Sequence, residues 1–386
     1  MTMNSRLRAA AILLASTCLQ TVSFAQEPDS RAVDSLLVKE LEKELAAGEE
    51  EGYSTAPRSA QRALNALNPE ISVIGDFRAG YLSEGDRNID FEMHEVETAL
   101  RSVVDPYVRA DFYVSIAQEE GDIEFELEEA FLTTLSLPAQ LQLKAGKFRS
   151  AFGKINRTHP HALPYIDIPA AYVNFLGEEG LNDQGISLSW LVPNARFYQD
   201  VTVEVTRGPS ESAGFTVSES NRLLYAGRLK NFWDLTRNAT LELGISGAAG
   251  PNETGNTTWL GGLDLTYIWR PVRFNTYRSF VLQGEAILSR REAGIPDAVS
   301  ALGFYLMSQY KFARRWMVTG RYDQADLPDN EDWNERSWSL TLGWLASEFQ
   351  KVELGLKTRS GDELDRSWQA LARAVFVIGA HGAHEY

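Results

Sequence analysis

The feature of this sequence that most constrains its fold is a regular alternation of apolar and polar residues, which begins at Ile71. In one typical segment, Val201, Val203 and Val205 are each separated by a polar residue. Successive side chains of a β-strand point to opposite faces, so this period of two predicts strands with one apolar and one polar face. A long series of such strands, with almost no helix between them, predicts an all-β sandwich or barrel.

The length and number of these segments favour a barrel that crosses a membrane. We count about 16 of them, most roughly 9–15 residues long, which exceeds the usual strand of soluble proteins and suits a tilted crossing of a bilayer. The predicted fold is therefore an all-β, transmembrane, antiparallel up-and-down β-barrel of about 16 strands, formed by residues 69–386.

The connections between the strands support this prediction. Every second connection is tight, as at 104–106 and 314–315, whereas the others are mostly longer and polar, and the longest covers 150–183. Outer-membrane barrels have short periplasmic turns and longer external loops, and an even strand number brings both chain ends to the periplasm. We therefore expect the chain to lie in the bacterial outer membrane.

Residues 1–25 have the pattern of a secretory signal peptide. Arg6 and Arg8 precede an apolar stretch at 9–22, and Ser23 and Ala25 provide the small residues of a cleavage site. The alternative is a signal anchor that is retained in the inner membrane, although the apolar stretch is short for a membrane span of about 20 residues.

Residues 26–68 are predicted to form a short N-terminal helical segment in the periplasm. Val33, Leu37, Leu41 and Leu45 recur every four residues and would form one narrow apolar stripe on a helix. Such a stripe fits a short coiled coil or a helix that lies against the barrel. A loosely held acidic leader fits the same residues.

Composition excludes some classes of function. The chain carries 37 basic and 53 acidic residues, a formal net charge of -16, so we expect no nucleic-acid partner. The sequence contains no Gly-x-Ser-x-Gly motif and no histidine near a convincing serine nucleophile, so we expect no enzymatic activity and no cofactor.

One stretch of the sequence resembles a known family. The residues Leu143-Lys144-Ala145-Gly146-Lys147-Phe148, followed by Gly153-Lys154 and by Gly185-Ile186-Ser187-Leu188-Ser189-Trp190, resemble the phosphate-selective-porin-like superfamily of outer-membrane channels. In that superfamily a Gly-x-Phe strand leads into a long inward loop, and a strand that begins with glycine follows. The resemblance covers residues 69–386 in architecture but only about 50 residues in motif.

This resemblance implies a sixteen-stranded homotrimer with passive uptake, in which the third loop narrows the channel. It does not imply phosphate as the solute, because the predicted lumen carries as many carboxylates as cations. The C-terminus also departs from the usual alternating apolar ending that the barrel-assembly machinery recognises, since only Tyr386 matches it.

Charged residues at the long loop and on the inward-facing side of several strands are the candidate pore residues. Those at the loop are Lys144, Lys147, Arg149, Lys154, Arg157, Glu178, Glu179 and Asp183, and those on strands are Asp76, Arg78, Arg109, Asp111, Glu124 and Glu126. Two interpretations of the loop charges remain open. They create a transverse field across a constriction, or they pair with each other and hold the loop in place.

Acidic residues cluster in several outer loops, as at 119–122, 329–332 and 362–363. An acidic mouth concentrates cations, so a mild cation preference is expected. The alternative is that these carboxylates bind divalent ions that bridge lipopolysaccharide, which with outer-membrane lipid is an expected partner.

The few histidines raise the question of a metal site. His159 and His161 flank a proline in the long loop, and His381 and His384 lie in the C-terminal tail. Paired histidines can hold zinc or copper, but the sequence favours loop packing and tail hydrogen bonding as the roles of these residues.

We therefore predict a porin that gives passive diffusion of small hydrophilic solutes or ions. A non-conducting barrel that acts as an envelope scaffold or anchor is one alternative. A metal-ion uptake channel that uses the histidines is the other.

Overall fold

The computed structural model describes residues 69–83, 89–119, 122–193, 196–208, 214–216, 222–292, 298–362 and 365–379. Within these residues, sixteen antiparallel strands form one closed barrel, in which each strand pairs with the next in sequence and the last pairs with the first. The predicted fold class and strand number are confirmed. The predicted signal peptide (1–25), the helical segment (26–68) and the tail histidines His381 and His384 lie outside the described residues.

The strands are β1 Glu70–Leu82, β2 Ile89–Asp105, β3 Val108–Glu119, β4 Asp122–Thr134, β5 Leu141–Arg149, β6 Asn182–Leu191, β7 Tyr198–Thr206, β8 Leu224–Thr236, β9 Ala239–Pro251, β10 Thr257–Trp269, β11 Ser279–Glu292, β12 Ala298–Ala313, β13 Trp316–Leu327, β14 Asn330–Leu345, β15 Gln350–Gly361 and β16 Ser367–Gly379. Within the described residues an α-helix, α1, covers Ala170–Leu176. In the part of the chain that the structure describes, no helix combines the length and apolar character that a membrane span requires.

The alternation of the sequence becomes an alternation between the two faces of the barrel wall. In β10, Leu263 is 61% exposed on the outer face, whereas its neighbour Asp264 is 3% exposed on the inner face. Large apolar side chains such as Phe125, Leu354 and Leu356 are likewise more than half exposed. An outward apolar face and a polar interior are what a barrel needs to be soluble in lipid.

The two ends of the barrel differ. At one end, called here the turn end, β1 begins and β16 finishes, and Ser72 pairs with Gly379. The tight connections between β8 and β9 and between β12 and β13 lie at this turn end. The loop end carries the long third connection, between Arg149 and Asn182, together with tight hairpins such as that between Leu327 and Asn330. The longest connection is therefore where the sequence predicts it.

The third loop, defined here as residues 150–181, folds into the barrel and packs against the inner wall. It contains α1 and two short 3₁₀ helices, Ile155–Arg157 and Pro160–Ala162. Its apolar side chains form the hydrophobic core of the molecule with residues from β8 to β12. The members of that core include Phe152, Ile155, Leu163, Tyr165, Tyr172, Phe175, Leu176, Leu224, Leu260, Ile287, Tyr305 and Met307.

Candidate functional site

The third loop is fastened to β13 and β15 by one carboxylate. Asp167 accepts hydrogen bonds from Arg321 Nη2 at 2.8 Å and from Lys357 Nζ at 2.6 Å. Burial alone would raise the pKa of Asp167, but the charges of Arg321 and Lys357 hold it well below its usual range. Asp167 is therefore ionised at neutral pH and acts as a fixed electrostatic anchor.

A second anchor lies on β1 and β16. The fully buried guanidinium of Arg373 pairs with Asp76 at 2.8 Å, and it also donates to the carbonyl oxygens of Pro160 at 2.7 Å and Tyr165 at 3.0 Å. Arg78 binds the same Asp76 carboxylate at 2.9 Å. Asp76 and Arg78, both predicted to face the lumen, are thus part of the attachment of the loop.

The first part of the loop is held by carboxylates of the opposite wall. Glu285 on β11 accepts hydrogen bonds from the backbone N–H groups of Lys154 at 2.8 Å and Ile155 at 3.0 Å. Lys154 Nζ also contacts Glu242 on β9 at 3.2 Å, and burial is the main cause of the lowered pKa of Lys154. The loop backbone and its side chains are therefore both fixed to this wall.

A further attachment of the loop is a buried group of charges on β2 and β4. Arg149 Nη2 contacts Glu128 at 3.2 Å and Glu179 at 3.4 Å, and the backbone N–H of Arg149 donates to Glu129 at 2.8 Å. His159 Nδ1 lies 2.8 Å from Glu97 and 3.0 Å from Glu128. For Arg149 and Lys154, the interpretation that loop charges hold the loop in place is the one that the geometry supports.

The protonation of His159 follows from this environment. Burial would lower the pKa of His159, but the carboxylates of Glu97 and Glu128 outweigh that effect and raise it well above its usual value. The ring also lies 4.9 Å from the ring of Tyr113 and 5.6 Å from that of His161, measured between centroids. Both histidines are buried against the barrel wall, being 5% and 4% exposed.

Two β-bulges bring these carboxylates together. The register between β3 and β4 shifts between Tyr113 and Val114, so that Glu128 is an extra residue and both Glu128 and Glu129 are buried. A similar register shift between β1 and β2 makes His94 an extra residue of β2, between Met93 and Glu95. A bulge places two consecutive side chains where a regular strand would place one, and this is how β4 presents a pair of carboxylates to the loop.

A cavity of about 400 Å³ lies between the third loop and the turn end of the barrel, on the side of β1 to β5. Its lining is mainly basic. The basic side chains are Arg101, Arg109, Lys144, Arg149, Lys154, Arg157, Arg228 and Lys230, and the acidic ones are Glu70, Asp111 and Glu129. A second cavity, of about 600 Å³, lies on the side of β10 to β15 and is lined by Lys154, Arg270, Lys311 and Lys351 with a single carboxylate, Glu353.

The positive charge of the first cavity is only partly balanced. Arg101 and Arg109 share one carboxylate, that of Asp111, at 2.7 and 2.8 Å. The ammonium of Lys144 lies over the ring of Phe131, 4.4 Å from its centroid. Arg157 is exposed at the surface of the loop. Arg149 pairs with Glu128, Arg228 with Asp264, and both Lys154 and Lys230 with Glu242. The surplus of cationic groups between the loop and the turn end therefore comes from Arg101, Arg109 and Lys144.

The other candidate pore residues lie apart from this cavity. Lys147 shares a face of β5 with the exposed Leu143, and its ammonium binds Glu126 at 3.1 Å near the loop end. Glu124, Glu126 and Glu178 are exposed. Glu179 contacts Arg149, and Asp183 is half-buried at the start of β6. These residues do not form one acidic wall opposite a basic one.

Two groups that hold the loop are not among the residues predicted from the sequence. Asp167 is a lone carboxylate between Ile166 and Ile168, and that isolation is the signal that could have marked it as a buried anchor. Glu95 and Glu97 alternate along β2, so parity places both on one face. The bulge at Glu128 leaves no signal in a single sequence.

Comparison with known proteins places the chain in a wider group. An uncharacterized protein of Aquifex aeolicus (strain VF5) is 32% identical over 343 residues, which covers 77% of this chain and 70% of that protein. No protein-family model matches the sequence. Among solved structures, the barrel is similar to the anion-selective porin from Comamonas acidovorans, with a TM-score of 0.59 and 10% identity over 81% of this chain and 99% of that chain.

Two further channels have the same fold. OprB of Pseudomonas putida has a TM-score of 0.55 with 10% identity, over 83% of this chain and 96% of that chain. The outer-membrane channel DcaP of Acinetobacter baumannii has a TM-score of 0.53 with 10% identity, over 81% and 97%. At these identities the likeness concerns the fold, which is that of a bacterial outer-membrane barrel.

Proposed function

We propose that this chain, which belongs to the same family as the uncharacterized protein of Aquifex aeolicus, is an outer-membrane channel for passive diffusion of small hydrophilic solutes. The closed sixteen-strand barrel with an apolar outer face supports the membrane location. Barrels of sixteen strands enclose an aqueous lumen in the porin class, and here the third loop narrows it.

The observation that carries the proposal is the basic cavity below the third loop. Eight basic and three acidic side chains line it, and the second cavity has four basic and one acidic. Low-dielectric walls focus the field of such groups and raise the local concentration of counter-ions. The geometry therefore supports a preference for small anions at the narrow part of the channel.

This differs from the mild cation preference that the acidic outer loops predict. Exposed charges that are separated by more than a Debye length, about 8 Å at physiological ionic strength, are largely screened by salt. Charges that line a narrow, low-dielectric passage are screened much less. The trimeric assembly and the membership of the phosphate-selective-porin-like superfamily stay predictions.

Two substitutions test the role of the cavity. Replacing Lys144 and Arg157 with glutamine removes two lining cations, and we expect the anion-to-cation permeability ratio to fall by about half or more. Lys147→Gln is the matched control, because Lys147 lies three residues along β5 from Lys144 and does not line the cavity. Equal ratios in the double variant and the control would contradict the proposal.

A second candidate function, a closed barrel that serves as an envelope anchor, has one observation in its favour. The third loop packs into a hydrophobic core with β8 to β12 and is anchored to β13, β15 and β16, so it reaches across the lumen. Absence of any single-channel current from correctly folded protein would favour this candidate.

A further inference from the structure

The attachment of the third loop to β2 and β4 has a composition that the channel does not require. Three carboxylates and one imidazole meet there, and their nearest ligand atoms all lie within 4.8 Å of one another: Glu95, Glu97, Glu128 and His159. All four are buried, with Glu97 fully so. Buried carboxylates are costly unless hydrogen bonds, opposite charges or a metal ion stabilise them.

The hydrogen bonding of this group is incomplete. Among the residues that the structure describes, Glu95 Oε1 and Glu97 Oε1 are buried and have no hydrogen-bond partner. His159 Nδ1 is the donor nearest to Glu97 and Glu128, and it contacts both. One nitrogen shared between two carboxylates cannot satisfy the remaining oxygens, so the centre of the group can accept a further positive species, either a shared proton or a metal ion.

The charge balance points the same way. Without a metal ion, Arg149 and a protonated His159 supply two positive charges against three carboxylates. With a divalent cation bound, the ion would supply two positive charges and Arg149 one, which makes three. That sum equals the charge of the three carboxylates when His159 is neutral, which is the form in which imidazole binds a metal.

We propose that this group binds one divalent transition-metal ion that fastens the third loop to the barrel wall, through four ligands: Glu95, Glu97, Glu128 and His159. Imidazole with carboxylates suits zinc and manganese. In a tetrahedral site with bonds of about 2.1 Å the ligand atoms lie about 3.4 Å apart, so atoms that are now within 4.8 Å of one another must close by at most about 1.4 Å.

The neighbouring His161 supports the site without being counted among its ligands. Its Nδ1 lies 3.7 Å from Glu95 Oε1 and 3.7 Å from Glu97 Oε2, and its ring stacks on His159. This role differs from metal uptake, because the ion would be sealed between loop and wall and would serve the structure of the constriction.

The test is metal retention by the full-length barrel refolded in detergent. Wild-type protein is refolded with either Zn²⁺ or Mn²⁺, dialysed against EDTA, and analysed by inductively coupled plasma mass spectrometry. We expect about one ion per chain for at least one of the two metals, and an at least tenfold loss in Glu97→Gln and in His159→Gln. His94→Gln is the matched control, because His94 also pairs with a glutamate, Glu92 at 2.8 Å, but at a half-buried position of β2 outside the group.

A second measurement keeps the test decisive if the variants do not fold. X-ray absorption of the Zn²⁺-loaded or Mn²⁺-loaded wild type should show about four nitrogen or oxygen ligands at bond lengths typical of the metal, with the outer-shell scattering of one imidazole. Two results would overturn the proposal. One is retention of less than a tenth of an ion per folded wild-type chain for both metals, and the other is equal retention by wild type and both variants. In either case the carboxylates share protons instead of binding a metal.

Discussion

The anchor at Asp167 gives the most direct prediction about the third loop. Asp167→Asn keeps the shape of the side chain but removes the charge that binds Arg321 and Lys357. Removing one partner of a buried ion pair typically destabilises a protein by about 3–5 kcal/mol. We expect the attachment of the loop to lose about 2–3 kcal/mol, because Asp167 is 26% exposed and Arg321 keeps a second partner, Asp323 at 2.9 Å.

This loss should appear as movement of the loop. Each 1.4 kcal/mol is a factor of ten in an equilibrium constant, so the population with the loop detached should rise by about 30- to 150-fold. Single-channel recording would detect it as more frequent transitions to a larger conductance. Glu178→Gln, which changes an exposed carboxylate of the same loop, should leave the transitions unchanged. If Asp167→Asn shows transitions to the larger conductance no more often than wild type, Asp167 does not hold the loop in place.

The pH dependence of this anchor has a definite sign. Because folding lowers the pKa of Asp167, its contribution is present above the unfolded value, near 3.9, and is lost as the pH falls from there toward the folded value. Lowering the pH from 7 to 5 should therefore leave the Asp167 anchor intact in wild type. A difference between wild type and Asp167→Asn that already disappears at pH 5 would contradict this assignment.

Three further predictions concern packing and the lipid face. Gly303→Ala places a Cβ atom 2.6 Å from Phe175 Cε2 and 2.8 Å from Ala171 Cβ, so it should displace α1 and lower the urea midpoint by the equivalent of about 1–3 kcal/mol. Gly261→Ala, which meets no atom within 4 Å, should not. Phe175→Ala should cost about 3–5 kcal/mol in the same assay, and a value below 1 would exclude a packed loop. Leu263→Arg should lower the free energy of unfolding in lipid vesicles by about 2–4 kcal/mol, whereas Val272→Arg, which lies in a turn, should lower it by at most about 1 kcal/mol. A larger loss for Val272→Arg than for Leu263→Arg would contradict the assigned membrane face.

The fold could be predicted from the sequence because its signal is local. Each strand carries its own alternation, as Leu263 and Asp264 show, so the strand number and the position of the longest loop follow without knowledge of any long-range contact. The same parity placed Asp76 and Arg78 on the inner face of the wall.

The site could be predicted only in part because its contacts are distant in sequence. The sequence predicts Lys144 and Arg157 as pore residues at the long loop, but Asp167 meets partners more than 150 residues away, and no local pattern specifies that pairing. The bulge at Glu128 likewise depends on how β3 and β4 pair. Acidic outer loops were the visible charge signal, whereas the cations below the loop come together only when the barrel closes.

The measurement that tests the central claim most directly is the reversal potential of the wild-type protein in a planar lipid bilayer under a potassium chloride gradient. The basic lining of the cavity between the third loop and the turn end predicts stepwise openings with a reversal potential shifted from zero toward the equilibrium potential of chloride. A reversal potential shifted toward the equilibrium potential of potassium would contradict the assignment of that cavity as the selective part of the channel. It would instead support selectivity set by the acidic outer loops.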